Sequence, residues 1–135
     1  MARLTSKKTV WYPIPGDEDN AEIQILHLKP GDLQDIESET SRWLGKSVDK
    51  EFVTELELNP TLQMRRIRQI SVVGWKGMFD ENGDKMDCTQ ENVLKYLKAD
   101  PFLGEPRKRF SEWIDEFRKS LAAEMEPQEA QAEGN

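Results

Sequence analysis

The spacing of hydrophobic positions changes period several times along this chain, and each change marks an element. The clearest pattern lies late. Phe110, Trp113, Ile114, Phe117 and Leu121 recur at i, i+3, i+4, i+7 and i+11, the stripe of an amphipathic helix. Residues 9–28 alternate instead. "TVWYPIP" brings β-branched and aromatic residues, with Pro13 and Pro15 restricting it to an edge strand. "GDEDN" has the composition of a turn, and "AEIQILHL" places Ile23 and Ile25 on one face. This predicts an N-terminal hairpin, which needs further structure to lie on.

Between these ends the pattern is helical with interruptions. After "KPGD", Asp32 is expected to cap a helix carrying Leu33, Ile36, Trp43 and Leu44, with Gly45 ending it. "VDKEFVTELEL" fits a helix through Val48, Phe52, Val53 and Leu56, or a strand through Phe52, Thr54, Leu56 and Leu58. The helix is preferred. Asn59-Pro60 starts the next helix, with Leu62, Met64, Ile67, Ile70 and Val73 inward, three arginines outward, and Gly74 and Gly77 closing it. Thr89 caps a further helix bearing Val93, Leu94 and Leu97, and "ADPFLGEP" reads as a linker.

The stretch "VVGWKGMFDENGDKMDCTQENV" raises the sharpest chemical question. Counted from Asp80, it places Asn82, Asp84 and Glu91 at the oxygen-bearing positions 3, 5 and 12 of a calcium loop. Position 6, where the sharp turn requires glycine, holds Lys85. A short hairpin at 75–87 fits better, with Asn82-Gly83 supplying the positive φ of its turn. No metal is expected.

The expected fold class is therefore α+β: an N-terminal β-hairpin, about four helices and a second small β-hairpin. Residues 1–8 are expected to be a flexible N-terminus, 9–125 a single globular domain and 126–135 a disordered tail, since "MEPQEAQAEGN" has no apolar periodicity.

Composition narrows the function. The net charge of −7 opposes general binding to nucleic acid or anionic membrane. No apolar run approaches the ~18 residues of a membrane span, and no signal-like segment opens the chain, so a cytoplasmic location is expected. The single cysteine, Cys88, has no Cys-x-x-Cys companion, and the single histidine, His27, lacks catalytic company. No phosphate-binding glycine loop or nucleophile elbow occurs. The chain is read as a non-enzyme that uses no cofactor.

Four tryptophans, Trp11, Trp43, Trp75 and Trp113, are many for 135 residues. Core packing accounts for most of them. Trp11, on the proline-interrupted edge strand, is the candidate for a protein contact, with Tyr12 and Ile14 beside it. Such an edge can also accept a partner strand.

In its order of elements the chain resembles the tail assembly chaperones of bacteriophages and prophages. The residues carrying the likeness follow a loose W-x-G-x-x-D-x-x-G pattern, here Trp75, Gly77, Asp80 and Gly83. Thr89, Glu91 and Asn92 follow, opening a leucine-bearing helix. These positions are structural punctuation, with no active site among them. The resemblance implies a non-enzymatic factor that keeps the long helical tape measure protein soluble while tail tube subunits assemble, in the bacterial host cytosol. It implies contact with the tape measure protein and the tube protein, and is compatible with a homo-oligomer. The alternative is a structural phage component, such as a tail completion or head-tail joining protein.

Overall fold

The computed structural model describes the backbone of residues 8–48, 51–57 and 59–133, and the side chains of 8–41 and 59–125. The expected flexible N-terminus therefore lies, but for Lys8, outside the described residues. Expected as one domain over 9–125, the chain divides into two compact units. One is Met1–His27 with Arg68–Asn135, and the other is Leu28–Ile67. The class is α+β, the described residues forming four helices and small antiparallel sheets.

In the first unit, β1 (Thr9–Pro13) and β2 (Glu22–Leu26) form the expected hairpin. It does not stand alone. β5 (Val72–Lys76) pairs antiparallel with β2, giving a three-stranded sheet in the order β1-β2-β5. This corrects two expectations. The helix before β5 ends at Ser71, so Gly74 lies inside a strand rather than closing a helix. Val73, expected inward, occupies a register shift between the partners of Gln24 and Ile25 and is 40% exposed. The β-branched Val72-Val73 pair favours a pleated surface, and β2 supplies one.

One face of the sheet packs against α4 (Phe110–Glu133). Phe110, Trp113, Ile114, Phe117 and Leu121 are all buried, as their spacing requires, and Met125 continues the stripe. Ile23, Ile25, Val72 and Trp75 join the same core. Tyr12 stacks on Phe117 with ring centroids 4.9 Å apart. The helix runs on to Glu133, past the boundary expected at 126. Its first turn is held by Asp100, whose carboxylate accepts the Ser111 amide at 2.9 Å. The expected linker contains a minute ribbon, β6 (Phe102–Leu103) with β7 (Lys108–Arg109), and Leu103 accepts the Trp113 indole N–H at 2.8 Å.

α3 (Gln90–Ala99) is capped by Thr89, whose hydroxyl accepts the Asn92 amide at 3.1 Å. Before it, residues 78–86 close a tight loop in which Phe79 bridges Lys85 and Gly83 has φ +80°. A conformation of that kind favours glycine because a Cβ would strain it.

In the second unit, α1 (Pro30–Thr40) begins one turn earlier than expected. Asp32 sits in its first turn and accepts the Lys29 amide at 2.9 Å, so Lys29 rather than Asp32 holds the cap position. The helix stops at Thr40. The Thr40 and Ser41 hydroxyls donate to the carbonyls of Ile36 and Glu37, ending the ladder before Trp43. Arg42–Val48 and Glu51–Glu57 are β3 and β4, an antiparallel ribbon in which Trp43 faces Leu56 in register. Neither the helix continuing through Trp43 to Gly45 nor the one preferred at 48–58 forms. The alternation of Phe52, Thr54 and Leu56 was the governing period, because a ribbon satisfies seven residue pairs at once.

α2 (Pro60–Ser71) starts as expected, with Asn59 accepting the Leu62 amide at 3.0 Å. Leu62, expected inward, is 43% exposed.

Candidate functional site

Antiparallel pairing sends alternate residues of β1 to opposite faces. Val10 and Tyr12 face the core with Ile23, Ile25 and Trp75. Thr9, Trp11 and Pro13 belong to the other face, in register with Leu26, Gln24 and Glu22. Trp11 is the large side chain there, and is 40% exposed.

The Trp11 ring reaches across β2 to β5. A Cβ on Gly74 would lie 3.2 Å from its Cη2 atom and 2.6 Å from Gln24 Oε1. Glycine at 74 therefore leaves the floor on which the indole rests. Lys76 Nζ stands 4.5 Å from the ring centroid, a cation–π contact, and 3.7 Å from Glu22. Gln24 donates to the Thr9 hydroxyl at 3.1 Å. The Trp11 ring is thus an apolar centre in a polar frame of Lys76, Glu22 and Gln24.

β1 is also an open edge. The order β1-β2-β5 leaves one side of it without a strand among the described residues. His27 donates to the Lys8 carbonyl at 2.9 Å and Ile14 to the Ala21 carbonyl at 2.8 Å. Even-numbered residues of β1 thus spend their backbone groups on β2. The amides of Thr9 and Trp11, and the carbonyls of Thr9, Trp11 and Pro13, point away from it.

The expected contact set divides accordingly. Trp11 is outward, Tyr12 is half-buried against Phe117, and Ile14 is 3% exposed and belongs to the core. The fold does not bring the three together on one surface. Burial pushes the Tyr12 hydroxyl above its ordinary pKa, with Glu124 acting in the same direction.

The expected turn residues hold the loop between β5 and α3. Trp75 is buried, donates its indole N–H to the Met86 carbonyl at 2.7 Å and meets Tyr96 edge to face at 5.2 Å. Gly77 has φ +71°. Asp80 Oδ1 accepts the amides of Asn82 and Asp84, both at 2.9 Å, so this carboxylate serves its own loop. The Tyr96 hydroxyl donates to the Phe79 carbonyl and accepts its amide at 3.0 Å. Among the described residues, no group of three His, Cys, Asp or Glu side chains is placed to hold a metal ion. Cys88 is half-buried, and desolvation pushes its thiol up to about 11.

A second surface feature lies at the β1–β2 turn. Residues Gly16–Asp19 and Phe102–Gly104, with Arg107, line an open cleft of about 350 Å³. Phe102 is 46% exposed beneath the guanidinium groups of Arg109 and Arg107, at 4.4 and 5.4 Å. Asp17 caps its own turn through the amides of Asp19 and Ala21. Sequence reasoning missed this aromatic, because "ADPFLGEP" carries no periodicity.

Among the described residues no helix is long and apolar enough to cross a membrane. Compared with known proteins, the chain matches no family model, no curated protein and no solved structure.

Proposed function

We propose that this protein is a non-enzymatic assembly factor of the phage tail assembly chaperone kind, with the tape measure protein as its client. The observation that carries a binding role is the outer face of the three-stranded sheet. There Trp11, 40% exposed and part of the open strand β1, rests over Gly74, and Val73, the residue before that glycine, is exposed to the same degree. Tryptophan is enriched where protein surfaces meet, and an apolar centre rimmed by Lys76, Glu22 and Gln24 suits a reversible contact. The net charge of −7 helps keep a complex dissolved. The client's identity comes from the sequence resemblance through Trp75, Gly77, Asp80, Gly83 and Thr89, whose roles in this chain are structural.

Co-expression with a tape measure protein, the long helical client that the resemblance names, tests the reading. The client is expected to be soluble only when this protein is present, with several copies recovered per client chain. Trp11→Ala should weaken that rescue while the isolated protein stays folded. Equal solubility of the client with and without it, or recovery of this protein as a fixed part of mature particles, would defeat the proposal.

A further inference from the structure

We infer that the outer face of the sheet receives an arginine side chain of the partner, seated on Trp11 between Glu22 and Gln24, and that Lys76 fills this place in the free protein. The inference rests on the reading of that face as a contact surface, and adds the chemistry that the partner has to offer it.

Three groups converge on one spot. Lys76 Nζ stands 4.5 Å from the centroid of the Trp11 ring and 3.7 Å from Glu22 Oε2, so ring and carboxylate together already hold a cation. Gln24 adds a second acceptor. Its amide nitrogen is committed to the Thr9 hydroxyl at 3.1 Å, which leaves Oε1 over Gly74, and no described residue donates to that oxygen. A Cβ on Gly74 would lie 2.6 Å from Gln24 Oε1 and 3.2 Å from the Trp11 ring, so glycine keeps the spot open.

Lys76 holds the place loosely. Its ammonium is too far from Glu22 for a hydrogen bond, and its side chain is 65% exposed. An ion pair of that kind contributes little, so exchanging it for another costs little. A guanidinium suits the place better. It is planar, stacks on an aromatic face, is less strongly hydrated than an ammonium and reaches two acceptors at once through its several N–H groups. Charge favours a cation over an anion here. The hairpin turn at the Glu22 end carries Asp17, Glu18 and Asp19, and Gly77, next to Lys76, lies against Asp19. Against these four carboxylates stand Lys76 and Arg107, which lines the same cleft as the turn. An anion would have to draw Lys76 away from Glu22. The net charge of −7 also steers a basic segment towards the protein from a distance.

NMR titrations of the full chain test this with two synthetic amphipathic helical peptides, alike except for arginine or glutamate at the polar positions. The arginine peptide should shift the Trp11 indole N–H, identified by its loss in Trp11→Phe, and the side-chain amide of Gln24. The glutamate peptide should shift neither. Glu22→Gln should weaken binding about fivefold, whereas Lys76→Gln, which removes the occupant, should tighten it about threefold. Glu112→Gln and Lys119→Gln make the same changes of net charge at exposed positions of α4, which covers the opposite face of the sheet, and should leave binding unchanged. Binding of the glutamate peptide as tight as that of the arginine peptide, or of neither, overturns the inference. So does a Lys76→Gln variant that binds no more tightly than Lys119→Gln. The client reading is decided separately, by rescue of solubility. A client kept soluble while the arginine peptide fails to bind overturns this inference alone.

Discussion

Ile23 and Gln24 are neighbours in the chain and opposite in fate, and the two faces of the sheet differ in the same way. On the inner face Ile23, Ile25, Val72 and Trp75 are buried against α4, and each side chain is fixed by several others. On the outer face Trp11 rests on a glycine with a lysine above it, and Val73 stands at a register shift. The inner face is filled by packing. The outer face keeps apolar area at a cost in solubility that the fold itself does not require. An exposed tryptophan over a bare floor is therefore the better pointer to function, and the buried tryptophans report stability.

Trp113 offers the hardest test of that division. It is 2% exposed, stacks with Phe117 at 5.7 Å and donates its indole N–H to Leu103. Trp113→Ala should cost about 3–5 kcal/mol, enough to unfold a marginal domain. A variant that kept its urea midpoint and lost only partner binding would move α4 from core to interface.

Alkali should attack the inner side as well. Cys88, Tyr12 and Tyr96 pack against the core, and burial raises the pKa of all three, that of Cys88 to about 11. In each case the folded chain holds its proton more tightly than the unfolded chain. The stabilisation is complete below the unfolded pKa and is lost as pH rises through the folded one. For Cys88 that window runs from about pH 9 to about 11. Melting temperature should fall across it, and Cys88→Ala should flatten part of the fall. A curve identical to that of the parent protein would show that the thiol contributes nothing.

The smallest effect is expected on the outer face. Trp11→Ala removes one cation–π contact and a partly exposed ring, so stability should change by only about 0.5–1 kcal/mol. Loss of client rescue with an unchanged urea midpoint would sharpen the contrast between the faces. Outright unfolding would erase it.

Much of the first unit was legible because its signals are local or periodic. The β1–β2 hairpin, the Thr89 cap, the positive φ at Gly83 and the Phe110–Leu121 stripe each follow from residues close in sequence or set at a helical period. The second unit was read less well. Residues 42–57 fit two periods, and the choice was made by cross-strand pairing, which no single segment carries. The same holds for Gly74, which resembles a helix terminator until β2 claims its strand.

The candidate site repeats this lesson. The sequence by itself determined that Trp11 lies on an edge strand, because prolines at 13 and 15 deny that strand a central place. Only the tertiary structure decided that Tyr12 turns inward onto Phe117, that Ile14 is sealed in the core and that Gly74 forms the floor beneath Trp11. Alternation divides a strand between two faces, but it does not say which face α4 will cover. That choice depends on where a helix almost a hundred residues later comes to pack.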